Sequence, residues 1–471
     1  MIFVDNYTII IHDFQSIFKI ILKRKAAEMK DLTNGNIYKT FIVFAIPLVL
    51  SGLLSQAYGI IDTMIAGKFL GSEGIAAIGS TYSFTEFLSG IFWGFSAGSS
   101  IFFARLFGAK DYRQMRVSIC SNCIVMAIAI VVLSVIAIIF TKPVFAFLKV
   151  DEALSADAAI YYSIYTAGLV FMIFTNCFVH IMNAVGISAY PLKMSIISTI
   201  LNISGNIISV TVFKLGVAGL ALSSVLSAFV VDACYFFKLK KCFRELKLSK
   251  KDSFFDIVSV KRAMRFSLPC IFQQSAMYFT SFIISPLVNG ISASATAAYS
   301  VILKIYSINS NIYQNSSKAL STYTAQCVGA GKLDQLNRGV RVGFLQANLF
   351  LLPVLVLCMS FAHKICASFF PDRYSGDALN FSIIFVRYYL PFIVFNLVNN
   401  LFHAFYRGVG AMGFLLVVTC LGGASRIVFS WIFTPMQGIG GIYLAMVLSW
   451  IFEAVITAGI YLSGAWKKSL I

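Results

Sequence analysis

Phe44-Ala-Ile-Pro-Leu48 returns 222 residues later as Phe266-Ser-Leu-Pro-Cys270, with Pro47 and Pro269 in register. Ala104-Arg-Leu-Phe-Gly-Ala109 returns as Ala325-Gln-Cys-Val-Gly-Ala330 at an offset of 221, and Asn183-Ala-Val-Gly186 as Arg407-Gly-Val-Gly410 at 224. Gly219 matches Gly441 and Ser227 matches Ser449, both at 222. Five landmarks holding nearly one offset identify an internal duplication. Reading apolar segments against polar breaks gives about twelve helices from near Ile37 to near Ala465, hence six in each half. An even number returns the chain to its starting side, so the halves are parallel repeats about an axis along the membrane normal. Secondary transporters hold substrate between two such lobes.

Composition puts the repeat in a membrane. The 471 residues are 59% hydrophobic and only 12% charged, with a mean hydropathy of +0.85. Soluble proteins carry roughly 25% charged residues. Val117–Thr141, Ala158–Val185, Met194–Phe213 and Phe414–Thr434 are nearly free of charge, and each is long enough to cross a hydrocarbon layer that needs ~20 residues. A cytosolic enzyme and a nucleic-acid binder are excluded. The formal charge of +18 reads as topology. Of 37 basic residues, six fall in outer loops if the N-terminus is inside, four lie within helices, and the other 27 are cytoplasmic. That bias places both termini in the cytoplasm of a multi-pass plasma-membrane protein.

The expected architecture is therefore all-α: an N-terminal segment 1–36, an N-lobe 37–237, a basic cytoplasmic linker 238–265, a C-lobe 266–465 and a tail 466–471. The linker stretch holds ten basic and three acidic residues. It reads as a solvated connection with affinity for anionic headgroups. Residues 1–28 fit either an interfacial amphipathic helix or an upstream extension of a chain starting at Met29. The ten cysteines read as packing residues, because no outer loop holds two. Gly90, Gly94 and Gly98 form overlapping GxxxG units, which let another backbone approach.

Together, Pro47, Ile60-Ile-Asp-Thr-Met-Ile-Ala-Gly67, Gly108-Ala-Lys-Asp111, Gly216-Val-Ala-Gly-Leu-Ala221 and Gly329-Ala-Gly-Lys332 resemble the multidrug and toxic compound extrusion (MATE) family. The resemblance covers Asp31 to the C-terminus. It implies twelve helices in two lobes around a central cavity, alternating access, and export of small-molecule drugs driven by inward H⁺ or Na⁺. It implies no other cofactor and no nucleic-acid partner; a monomer in the bilayer is expected.

Charges within helices are costly in a bilayer and are functional candidates. Asp62 comes first, since one carboxylate can bind a proton or Na⁺ and change the local charge by a unit. The resemblance supports it, a first-helix Asp being the family's ion-coupling residue. In the DinF-like branch an Asn and an Asp four apart in the fifth helix, and a Thr in the sixth, join that carboxylate. Here those positions read Asn202, Asn206 and Ser224. Asn206 removes one negative charge from any Na⁺ cage built on Asp62, Asn202 and Ser224, which favours H⁺. The NorM-like branch expects a Glu in the seventh helix, where this chain has Gln273 and Gln274, and an Asp in the tenth.

Glu86, at a repeat position near Lys304, reads as a second site, a gate with Lys304, or a structural pair. Tyr58 and Tyr278, with Tyr82, Tyr299 and Phe87, offer ring faces to lipophilic cations. Asp232 and Glu453 read as paired or snorkelling, and His180 and His403 as packed. Two other function classes make different demands on the sequence. A flippase for a lipid-linked saccharide needs several cavity arginines, and Arg387 and Arg426 are the candidates. An intramembrane enzyme needs a constellation such as His-Glu-x-x-His, which this sequence lacks.

Overall fold

The computed structural model describes residues 29–148, 155–246, 255–370 and 376–470; the segment 1–28 lies outside them. A continuous helix Ile37–Gly108 breaks at Gly71, whose φ is +69°. Its two membrane spans are α1 (Ile37–Gly71) and α2 (Thr85–Gly108). Then follow α3 (Tyr112–Ile139), α4 (Ser155–Ala184), α5 (Ala189–Thr211), α6 (Gly216–Glu245), α7 (Ile257–Asn289), α8 (Ala293–Gly329), α9 (Leu336–Ser360), α10 (Asp377–Val409), α11 (Met412–Gln437) and α12 (Ile439–Leu462). Twelve helices make two six-helix lobes around a central cleft. Polar caps start several of them: the Asn36 carboxamide accepts from the Tyr38 amide, the Asp111 carboxylate from Gln114, and Ser292 from Ala295. Each satisfies an N–H that a helix leaves orphaned in its first turn. In α10, Pro391 follows a π-turn at Phe385–Tyr389 and sits in a 3₁₀ turn, because its ring nitrogen donates nothing to the ladder.

Ten of the helices are long and apolar enough to cross a membrane. The other two, α7 and α8, are too polar by composition. The reason is position. Buried along α8 are Asn309, Asn315, Ser316, Ser317, Thr324 and Gln326, so protein rather than lipid surrounds it and supplies hydrogen-bond partners.

Two main cores fill the lobes. Phe92, Phe103, Met115, Ile130, Tyr162, Leu169 and Met182 belong to the first. Ile302, Tyr313, Leu355, Phe405, Tyr443 and Trp450 belong to the second. The first half of α1 joins the second core: Phe41, Phe44 and Leu48 are buried there, and the Phe41 ring lies 4.9 Å from that of Tyr323. Its second half packs Ile65 and Ala66 against Leu220 of α6. The helix α1 thus crosses from one lobe to the other. The basic stretch 238–265 is largely helical at its ends, with α6 running to Glu245 and Lys238 laid over the Tyr190 ring.

At the face where α2, α4, α8 and α10 end, the lobes close on each other. A side chain at Gly98 would strike the backbone of Ser267, and one at Gly94 the Ile271 Cα at 2.6 Å. The duplicated Gly108 and Gly329 do the same reciprocally, one on the Gln326 carbonyl and the other on the Arg105 carbonyl. Arg105 Nη2 donates to the Gly408 carbonyl (3.1 Å), and Gln326 Nε2 to the Ala184 carbonyl (2.9 Å). Both accept at a helix end that closes with a left-handed glycine, Gly186 (φ +79°) or Gly410 (φ +74°), which explains the Val-Gly repeat in the sequence. A strap then crosses this face. The Lys30 amide donates to the Val185 carbonyl, the Leu32 amide to Gln326 Oε1, and Lys332 Nζ to Thr33 and Asn34.

Candidate functional site

Asp62 lies on the second half of α1, half-buried against α5. Asn206 Nδ2 donates to Asp62 Oδ1 at 2.6 Å and to Asn202 Oδ1 at 2.8 Å. Asn202 Nδ2 donates to the Ser224 hydroxyl at 3.0 Å, which lies 3.5 Å from the Tyr58 hydroxyl. Helical spacing makes this possible: Tyr58 and Asp62 are four apart on α1, and Asn202 and Asn206 four apart on α5, so each pair shares a face. Five of the residues singled out in the sequence thus form one chain of hydrogen bonds with a single carboxylate. Asn202, Asn206 and Ser224 are buried.

The other candidates fall elsewhere. Glu86 is half-buried on α2, and Lys304 is exposed on α8 with its ammonium 5.8 Å from the Phe369 ring. No ion pair joins the two among the described residues. Gln273 is buried, Gln274 half-buried, and the side chain of Tyr278 lies outside the described residues. In the C-lobe, Gln273 is the centre of a second polar chain. Its Nε2 lies 3.1 Å from His403 Nδ1, and its Oε1 accepts from Arg407 Nη1 at 3.3 Å. His403 Nε2 is 3.2 Å from Glu453 Oε1, and Asn399 donates to the other oxygen at 3.1 Å. Glu453 is therefore paired inward rather than snorkelling, and Asp232 accepts from the Thr175 hydroxyl at 2.6 Å.

The profile of the MatE family matches the chain twice, at residues 47–208 and 269–432. The two matches begin 222 residues apart (269 − 47), the offset of the internal repeat, and together span most of the chain. The chain belongs to the MatE family. It is 25% identical to the probable multidrug resistance protein YoeA of Bacillus subtilis over 350 residues, 72% of this chain and 75% of that protein. It is 20% identical to the multidrug export protein MepA of Staphylococcus aureus over 418 residues, 88% of this chain and 91% of that one. In fold it is similar to a MOP superfamily transporter from Pyrococcus furiosus, with a TM-score of 0.85 at 20% identity, covering 93% and 98% of the two chains.

This MatE protein is thus a multi-pass membrane transporter related to multidrug exporters. Two of its interior residues escaped the sequence reading. Arg105 and Arg407 fall within four residues of helix ends, where position alone marks a basic residue as a cytoplasmic flank. Side chains lean toward the N-terminus of their own helix, which here is inward. The signal available was the duplication itself, since Arg105 aligns with Gln326 and Arg407 with Asn183.

Proposed function

We propose that this chain exports lipophilic small molecules, cationic ones among them, by proton antiport with alternating access, from the cytoplasmic side of the plasma membrane. The observation that carries this reading is the hydrogen-bonded chain Tyr58–Ser224–Asn202–Asn206–Asp62, in which one carboxylate is the only acid. An amide N–H, not an oxygen, approaches the Asp62 carboxylate, and a cage with a single negative charge suits a proton better than a desolvated Na⁺. Asp62 sits on the helix whose first half packs in the opposite lobe. Neutralising the carboxylate changes what the second half of α1 gains by lying against α5, and α1, packed in both lobes, carries that difference to the lobe interface. Coupling needs no more than this: a ligand that binds two states unequally shifts their populations.

The closed face carries the basic flanks, so it is assigned to the cytoplasm. Proteoliposomes loaded with ethidium test the reading. Flux is expected with a pH gradient alone, and to be lost in Asp62→Asn at unchanged reconstitution. Flux that requires Na⁺ at constant pH would overturn proton coupling; normal flux in Asp62→Asn would overturn the role of the carboxylate.

A further inference from the structure

Lys318 of α8, Arg407 of α10 and His180 of α4 converge where the two lobes meet. Gly408, next to Arg407, packs on the Ser321 carbonyl and the Thr324 side chain of α8, one turn beyond Lys318, and the Gln326–Ala184 hydrogen bond holds the end of α4, one turn beyond His180, against the same stretch of α8. All three are half-buried. Lys318 Nζ donates to Asn315 Oδ1 at 3.0 Å and Arg407 Nη1 to Gln273 Oε1 at 3.3 Å, both neutral partners. Among the described residues no carboxylate stands within ion-pair range of either cation. Glu453 is the acid on that side, and His403 lies between it and Gln273. Arg105, near the closed face, already stacks on Phe266 and caps α10.

Like charges drawn together out of water repel strongly, and buried charges are ordinarily paired. Two amides satisfy hydrogen bonds but not charge. The arrangement is complete only with an anion. Asn311, Asn315 and Lys318 occupy one face of α8 at i, i+4 and i+7. Gly52 of α1 packs directly on the two asparagines, so the cluster lies just beside the crossing of α1.

We propose that Lys318 and Arg407, assisted by His180, bind the acidic group of the transported molecule — a carboxylate, phosphate or sulfonate on an amphiphile. This rests on the reading of the chain as an exporter and adds to its cationic substrates a class of anions, and of zwitterions whose cationic end faces Asp62. An acidic group that neutralises the cluster is held by residues of both lobes at once, which ties substrate binding to lobe closure. Lys318 and Arg407 contribute the charge, and Gln273 orients the guanidinium.

The test uses two probes on one ring scaffold, the anion fluorescein and the cation rhodamine 6G, with the full chain in phosphatidylcholine nanodiscs and fluorescence anisotropy as the readout. Lys318→Gln and Arg407→Gln are each expected to weaken fluorescein at least tenfold and leave rhodamine 6G unchanged or tighter. Retained rhodamine 6G binding establishes that the variants are folded. Lys318→Arg, which keeps the charge, is expected to retain fluorescein. Asp62→Asn should bind fluorescein while failing to transport, so a failure of coupling and a failure of anion recognition are read separately. In nanodiscs containing phosphatidylglycerol, loss of fluorescein binding by the unsubstituted chain identifies a lipid headgroup as the occupant; unchanged binding identifies a free anion. Equal fluorescein affinity in the unsubstituted chain and both Gln variants, or a Lys318→Arg variant as weak as Lys318→Gln, overturns the proposal.

Discussion

Arg105 and Gln326 make the same contact in opposite directions. Each reaches from the end of one lobe's second helix to the last turn of the other lobe's fourth, Arg105 to the Gly408 carbonyl and Gln326 to the Ala184 carbonyl. Duplication has preserved the geometry while replacing a guanidinium by a carboxamide. The two bonds brace the closed face symmetrically, and each satisfies a carbonyl that its own helix leaves unpaired.

Removing either brace should favour opening of that face. A lost hydrogen bond with a stranded partner costs about 1–3 kcal/mol, the charged Arg105 at the upper end. Cys270 and Cys327, both buried beside this interface, provide the readout. Maleimide labelling of Cys270, followed by mass spectrometry, is expected to accelerate in Arg105→Ala and Gln326→Ala, and most in the double variant. Labelling unchanged in the double variant would show that the braces do not hold the face shut.

The glycines divide sharply by what surrounds them. Gly98→Val places a branched side chain on the Ser267 backbone and is expected to cost about 1–3 kcal/mol through overpacking. Gly59 of α1 has no atom near its missing side chain, so Gly59→Ala should gain roughly 0.5–1 kcal/mol from helix propensity. Thermal unfolding in detergent should move down for the first and up for the second. Equal behaviour of the two would contradict the packing described.

Asn206→Asp would set a second carboxylate against Asp62, where an amide now donates at 2.6 Å. Two carboxylates that close share a proton or take up a cation. Saturable ²²Na⁺ binding, weak in the unsubstituted chain, should appear in Asn206→Asp and vanish again in Asp62→Asn/Asn206→Asp. Absence of Na⁺ binding in the single variant would argue that oxygen geometry, not charge, limits the site.

Asp256 caps α7 on the basic linker. The Ser259 hydroxyl, then the Val258 amide, hold its carboxyl below the usual carboxylate range. A depressed folded value stabilises above the unfolded one, near 3.9, and that stabilisation disappears as pH falls through the folded value. The difference in melting temperature between the unsubstituted chain and Asp256→Ala should therefore be full at neutral pH and shrink on acidification. A gap that is constant to pH 3 would remove the carboxylate from the account.

The duplication and the helix count were legible from recurrence and apolar patterning, whereas the grouping of Asp62, Asn202, Asn206 and Ser224, spread over α1, α5 and α6, was legible only through the family resemblance. The polarity of α8 was legible too, though not its cause: only packing shows that Asn309 and Gln326 lie inside protein. Three things needed coordinates. Lys304 and Glu86, near-equivalent in the repeat, do not pair, because pseudo-symmetry relates positions without making them meet. The crossing of α1 into the second core depends on contacts of Phe41 and Phe44 more than 270 residues away in sequence. Arg407 looked like a flank because its backbone lies at a helix end, while its side chain turns back toward Gln273.

The strap from Lys30 to Asn34 has a practical consequence for anyone handling the protein. It is stitched to Val185 in one lobe and to Gln326 and Lys332 in the other. A bulky fusion placed just ahead of Lys30 would tug on those stitches, whereas the same fusion after Leu470 would not. An insertion in this stretch is therefore an experimental variable in its own right, because it loosens a contact that both lobes share.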